Sequence, residues 1–410
     1  MTVQEAQQVD YRDLMKKVEQ LVDAMERDDE DTGRTIQAVT EAIVGKFRAE
    51  LGLYGGRIYE RHGASYRVES TFGDAKNVPQ GLRVPSDYPP IREVLKQGTV
   101  YMDRDDAGVD PQIEQQLGVE KFAAVEIADG RYLLAFNVAP GHDRQDILFS
   151  LGILRHSINQ MVRRERMEGI FRQARQIQSS ILPKSAPVHG PFDIAGRSLP
   201  LESVGGDYFD YIPLTDKILG VAIADVSGHG LPAALQVRDI YTGLRMGLGR
   251  DFKIVRTVER LNAIIHESTL TSRFVSLFYG ELEVSGGFIY VNAGHPPPFH
   301  VSAGGEVREL FEGGAVLGPL AQATYERGFV SLKPGDVMVL YTDGIIEARG
   351  EPEGDGWEEY GAERLVETVR ANRSQPAAEI VDAVYRDVAA FGRGRQPLDD
   401  RTVVVVRYPE

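Results

Sequence analysis

The spacing of apolar residues changes several times along this chain, and each change marks a part. Residues 1–33 are mostly polar, with a short helical pattern through Leu14, Val18 and Leu21. Over residues 35–51 the apolar positions Ile36, Val39, Ile43, Phe47 and Leu51 fall at helical intervals. Strand-like runs follow at residues 53–59 and 66–71, then a proline-rich stretch over 84–90. The runs 122–128 and 131–138 flank Asp129-Gly130, a dipeptide that favours the positive φ of a tight hairpin. A helix, several strands and a closing hairpin predict a small α+β domain over residues 34–145, preceded by a polar, partly helical extension over 1–33.

Over residues 146–182 the pattern is helical throughout. Ile147, Leu151, Leu154, Ile158 and Met161 step by four and three; the seam breaks at Arg163-Arg164-Glu165-Arg166 and resumes with Met167, Ile170, Ala174, Ile177 and Ile181. Spacing near 3.5 predicts a coiled-coil linker over residues 146–183, joining two copies as a parallel homodimer. A helix packed on its own domain is the alternative. Pro183 ends the helix, and Pro187 and Pro191 prevent its return.

Beyond Pro191, strand-like runs at 218–224, 274–284, 288–292, 337–341 and 402–408 alternate with helical stretches at 232–248, 254–269, 361–371 and 376–391. Ser285-Gly286-Gly287 joins two of the strands as a hairpin. Hairpin-paired strands with intervening helices predict an α+β layered domain over residues 184–410, not a doubly wound parallel sheet.

Composition narrows the function. Hydrophobic residues make up 42% and charged residues 26% of the 410, which is the balance of a globular protein. The net charge of −15 and the lack of a basic stripe argue against binding to nucleic acid or to a membrane surface. With no cysteine, thiolate nucleophiles, cysteine zinc sites and disulfides are excluded. No secretory signal and no apolar run of about 20 residues is evident, so a cytoplasmic location is expected.

Aspartates then stand out at the ends of apolar runs. Asp225 follows the buried-strand pattern of residues 218–224; Gly228 and Gly230 come next, with Pro232 near a helix start. Asp343 follows Val337-Met338-Val339-Leu340-Tyr341 in the same way, Asp399 and Asp400 precede a valine-rich run, and Asp207 follows two glycines. Asp225 alone could simply cap its turn. Gathered in one cleft, such carboxylates cannot all stay ionised without cations among them, and oxygen-only ligands suit hard ions such as Mg²⁺ or Mn²⁺.

The segments Gly205-Gly206-Asp207-Tyr208-Phe209-Asp210, Asp225-Val226-Ser227-Gly228-His229-Gly230, Asn292-Ala293-Gly294-His295-Pro296-Pro297, Tyr341-Thr342-Asp343-Gly344 and Asp399-Asp400-Arg401-Thr402 occur in that order. In this the region from about 185 to 408 resembles the bacterial SpoIIE/RsbU branch of the metal-dependent (PPM) Ser/Thr protein phosphatases. The resemblance implies a β-sandwich flanked by helices, with two Mn²⁺ or Mg²⁺ ions at one end. It implies that Asp207, Asp225, Asp343 and Asp399 form the catalytic metal set, with Asp225 bridging and the Val226 carbonyl completing one shell. Asp210, Gly228, His229 and Asp400 are implied as supporting residues, and a metal-bridging hydroxide as the nucleophile.

His229 is a candidate proton donor, or a turn residue bonded to neighbouring carbonyls; the turn around His295 is expected to support the site rigidly. The eukaryotic relatives' phosphate-gripping arginine has no clear counterpart: Arg197, Arg393, Arg395 and Arg401 are candidates, each more simply read as surface charge. The N-terminal pattern is similar to GAF-type sensor domains, with a small-molecule or protein ligand of unknown identity. The substrate implied is a phosphorylated anti-anti-sigma (STAS-type) protein, which would place the chain in stress-response signalling through sigma-factor regulation. The alternatives are a non-catalytic sensory scaffold and a two-metal phosphoesterase of small esters.

Overall fold

A computed structural model describes residues 51–75, 78–118, 120–248, 253–268, 274–353 and 356–410. The expected extension over 1–33 and nearly all of the helix expected over 35–51 lie outside the described residues. The chain divides into two compact units, Met1–Gly169 and Ile170–Glu410.

In the first unit, β1 (Leu53–His62) and β2 (Ser65–Gly73) form a hairpin, and β3 (Arg83–Pro85) pairs with β2. Next come α1 (Pro89–Gln97), β4 (Thr99–Asp103), α2 (Pro111–Leu117), β5 (Lys121–Ile127), β6 (Tyr132–Val138) and α3 (Arg144–Ile181). The proline-rich stretch opens α1, because proline fits a first helical turn where its missing N–H has no partner to lose. β5 and β6 form the expected hairpin, with Ala128, Asp129 and Gly130 all at positive φ.

The strands make one antiparallel sheet in the order β3-β2-β1-β6-β5-β4. Alternation along the strands divides its side chains: Ile58, Val125, Leu134 and Phe136 face one way, and Tyr59, Ala124, Leu133 and Ala135 the other. The first face packs against Ile147, Leu151, Leu154, Ile158 and Met161 of α3, all buried. The front half of the expected coiled-coil seam is therefore core of its own unit, as a helix packed on its own domain would be. Helical periodicity does not distinguish a sheet from a second helix as the surface covered. Met167, Ile170 and Ile177, further along the seam, are exposed.

Among the described residues of the second unit, two large sheets face each other. One has the order β14-β11-β10-β9-β8, from β8 (Asp207–Thr215), β9 (Ile218–Val226), β10 (Val275–Glu283), β11 (Gly287–Ala293) and β14 (Gly313–Gly314), with β15 (Gly328–Ser331) pairing on β11. The other has the order β13-β12-β16-β19-β7, from β7 (Asp193–Leu199), β12 (Phe299–Val301), β13 (Val307–Glu309), β16 (Val337–Tyr341) and β19 (Arg401–Arg407). β17 (Arg349–Glu353) and β18 (Gly356–Glu359) form a separate two-stranded hairpin. The helices are α4 (Leu231–Leu248), α5 (Ile254–Glu267), α6 (Asp343–Ile346), α7 (Gly361–Asn372) and α8 (Ala377–Gly392).

Strand alternation sorts the apolar residues into three layers. Leu219, Val221 and Ile223 meet Met338, Leu340, Val404 and Val406 between the sheets. Ala222, Ala224 and Val226 face α4 and α5, while Val339, Val403 and Val405 face α7 and α8. The result is a β-sandwich flanked by helices, in an α+β chain as the sequence predicts. Among the described residues, no helix is long and apolar enough to cross a membrane.

Candidate metal centre

The same alternation aims the acidic residues. Asp225 shares the inter-sheet face of β9 with Val221 and Ile223, and Asp207 shares that of β8 with Phe209 and Tyr211. The two aspartates are direct partners across the β8–β9 ladder, where like charges repel. Thr342 and Thr402 occupy the corresponding inter-sheet positions at the ends of β16 and β19. Both hydroxyls donate to Oδ2 of Asp207, at 2.8 Å from Thr342 and 2.6 Å from Thr402. Asp207 is thus fixed by two strands of the opposite sheet.

Asp343 opens α6, and Asp399 and Asp400 come just before β19. Gly344 permits this approach: a Cβ there would collide with the Asp400 carbonyl. Gly205 and Gly206 do the same across the site. A Cβ on Gly205 would strike the Asp400 carboxylate, and one on Gly206 would lie 2.8 Å from the Val226 carbonyl oxygen. Asp400 is 2% exposed and accepts from the Leu201 and Gly206 amides, each at 2.6 Å. It therefore pins the glycine turn to β19.

The charges are poorly compensated. Burial pushes the Asp225 carboxyl up to about 7, helped by the negative charges of Asp343, Asp399, Asp400 and Glu347. Burial, followed by the charge of Asp225, holds Asp207 well above the usual carboxylate range, against the pull of its threonine hydrogen bonds. Asp343 is raised by burial and by Asp399. Glu347, one helical turn beyond Asp343, is raised by burial and by Asp343. Sequence reasoning missed Glu347; its signal was the four-residue spacing on a helical turn.

Asp207, Asp225, Asp343 and Asp399 are thus brought together. Among the described residues, no three of them place an oxygen each within 4.8 Å of one another. An all-oxygen donor set, from buried Asp207 through half-buried Asp225 and Asp343 to exposed Asp399, beside the Val226 carbonyl fits hard divalent cations.

Two supporting residues lie elsewhere. Asp210 falls on the opposite face of β8, where its carboxylate accepts from Tyr208 Oη at 2.9 Å and pairs with Arg245 of α4 at 2.8 Å. It lies three positions along β8 from Asp207, and an odd step along a strand reverses the side chain. His229 is exposed, its Nδ1 2.8 Å from Glu202 Oε1. Gly228, at φ 90°, makes the turn before α4.

His295 is buried and neutral, its pKa lowered to about 3 by burial. Its Nδ1 meets Ser276 Oγ at 2.9 Å and its Nε2 the Tyr341 carbonyl at 3.1 Å. Ser276 is the ladder partner of Asp225, and Tyr341 leads to Asp343, so the ring ties the two sheets beside the acidic cluster. Asn292 fixes the turn by accepting from the His295 amide and donating to its carbonyl. Of the candidate arginines, Arg197 pairs with Asp382, Arg393 with Glu351, and Arg395 lies over Trp357. Half-buried Arg401 donates to the Gly344 carbonyl at 3.1 Å, which places it beside the cluster.

The sandwich and its acidic end define a PPM-class phosphatase domain, a metal-dependent class. Residues 215–409 match the family model described as Stage II sporulation protein E (SpoIIE). The chain is 29% identical over 321 residues to Protein IcfG of Synechocystis, covering 69% of this chain and 50% of that protein. It is 29% identical over 237 residues to the phosphoserine phosphatase RsbU of Bacillus subtilis, covering 57% of this chain and 68% of that one. The SiaA PP2C domain of Pseudomonas aeruginosa has the same fold, with a TM-score of 0.51 and 22% identity over 60% of this chain and 98% of that one. The chain therefore spans about half the length of IcfG and two thirds of RsbU.

Proposed function

We propose that the protein is a metal-dependent phosphoserine/phosphothreonine protein phosphatase. The observation that carries this reading is the convergence of Asp207, Asp225, Asp343 and Asp399 on one end of the inter-sheet layer of a SpoIIE-type domain. These four and the Val226 carbonyl would hold Mn²⁺ or Mg²⁺, two ions in our reading. When bound, such ions supply positive charge for the phosphoryl oxygens and acidify water for in-line attack.

The chain's own residues prepare that chemistry. Thr342 and Thr402 orient the Asp207 carboxylate, Asp400 holds the Gly205-Gly206 turn, and His295 fixes the spacing between Asp225 and Asp343. Arg401 is the arginine best placed to meet a substrate phosphate. No cysteine is needed, because no covalent intermediate is required.

The substrate we propose is a phosphorylated STAS-type protein, on the strength of the RsbU resemblance. The first unit is proposed as a GAF-like regulatory domain; its six-stranded antiparallel sheet covered by helices supports this. Regulation through α3 has a physical route inside the second unit. Gln178 donates to the Gly205 carbonyl at 2.6 Å and accepts from the Gly205 amide at 3.1 Å. A shift at the end of α3 would move the turn that supports Asp207 and Asp400. The exposed Met167, Ile170 and Ile177 leave a face on which α3 could pair with a second copy.

The test is Mn²⁺-titrated release of phosphate from a phosphoserine STAS-type protein, with an aryl phosphate in parallel. The reading expects metal-dependent turnover that favours the phosphoprotein. Equal rates on the two substrates would instead indicate a small-ester phosphoesterase, and binding without turnover a scaffold.

A further inference from the structure

Away from the acidic cluster, the first unit encloses a cavity between its sheet and the helices α1 and α2. It measures about 450 Å³ including its mouth, of which about 40 Å³ admits the centres of water-sized atoms. One water needs roughly 10–15 Å³ of such volume, so the space takes a handful of non-hydrogen atoms. Ala124 and Ala135, on neighbouring strands, form a floor where larger residues would fill it. Ile91 and Val94 of α1 supply an apolar wall.

One cation lines this apolar space. Arg57 of β1 is 1% exposed. Its guanidinium donates to the Leu117 carbonyl at 2.7 Å and to Asn137 Oδ1 at 3.1 Å, both uncharged acceptors. Among the described residues its buried Nε–H has no partner. A buried donor left unpaired costs roughly 1–3 kcal/mol, and more on a charged group. Glu114, the acid in the lining, attracts Arg57 through space but takes its hydrogen bond from Tyr88, whose hydroxyl donates to it at 2.9 Å.

We infer that this cavity is a binding site for a small monocarboxylate with a short apolar body, roughly three or four carbons long. One carboxylate oxygen accepts the Arg57 Nε–H, and the carbon chain lies over Ala124 and Ala135 against Ile91 and Val94. The site is separate from the acidic cluster and does not depend on the phosphatase reading.

Calorimetric titration of the full chain with butyrate, and with butyramide as an uncharged match in size, tests this. Butyrate is expected to bind saturably at one site per chain, at least tenfold more tightly than butyramide, and to raise the melting temperature. Arg57→Gln is expected to weaken butyrate at least tenfold, and Ala124→Leu to abolish binding by filling the floor. Absence of butyrate binding, as for a cavity that holds water alone, or equal binding of butyrate and butyramide, would overturn the proposal. Both comparisons use the unmodified chain, so they decide the matter even where a variant does not fold. Undiminished butyrate binding by a folded Arg57→Gln protein would overturn it as well.

Discussion

At the scale of single residues, what distinguishes this protein is acid placed against acid. Asp207 faces Asp225 across a ladder, and burial with neighbouring charges lifts Asp225 to about 7. Removing one charge should therefore separate function from stability. Asp225→Asn is expected to reduce metal-dependent phosphate release at least about a thousandfold. The same variant should melt higher than the unmodified chain in chelator at pH 8, because a repulsion has gone. A lower melting temperature there would show that the Asp225 charge is compensated by groups other than metal. The threonines act one step back. Thr402→Val leaves an Asp207 oxygen without its 2.6 Å donor, and Mn²⁺ affinity by calorimetry should fall about 10–100-fold. Asp225, Asp343 and Asp399 were legible in the sequence because each ends or begins an apolar run beside a turn, and Asp207 because it follows two glycines. The facing of Asp210 was not, since the limits of β8 set its parity and no run of apolar residues marks that strand.

At the scale of elements, pH separates two opposed groups. Asp225 has a folded pKa above its unfolded value of 3.8, so without metal it takes up protons on folding. Its contribution is fully present below about pH 4 and is lost as pH rises through 7. Cations relieve that loss, and the rise in melting temperature on adding Mn²⁺ should grow from pH 5 to pH 8. His295 has the opposite sign. Its pKa falls from 6.5 unfolded to about 3 folded, so its neutral ring stabilises above 6.5 and that stability is lost as pH falls. His295→Ala removes the tie between β10 and β16 and should cost about 2–4 kcal/mol at pH 8, with the deficit against the unmodified chain narrowing at pH 5. Denaturant melts at the two pH values check this. The sequence marked this turn as rigid support; which strands it joins depends on sheet order, which one-dimensional periodicity does not carry.

At the scale of the whole molecule, α3 is the element whose sequence pattern was most open to two readings. Its front seam packs on its own sheet in the first unit, and its last turns belong to the second. Ile181 and Leu182 pack on the apolar layer of the second unit, and Gln178 clasps Gly205 from both sides. A fragment beginning at residue 170 should therefore melt several degrees above one beginning at residue 184, and bind Mn²⁺ more tightly. Equal melting temperatures and affinities would remove α3 from the account of the metal site. Most of the sandwich could be anticipated from its long valine-rich and alanine-rich runs. The short strands β7, β12 and β13 could not, because three to seven residues with mixed exposure give little periodic signal.

The central claim is that the mutual repulsion of the acids at the end of the sandwich is relieved by divalent cations. Anomalous diffraction at the manganese edge from crystals soaked in Mn²⁺ tests it most directly. The account predicts peaks within bonding distance of carboxylate oxygens of Asp225, Asp343 and Asp399, beside the Val226 carbonyl. Peaks confined to other surfaces, or none at saturating Mn²⁺, would contradict it.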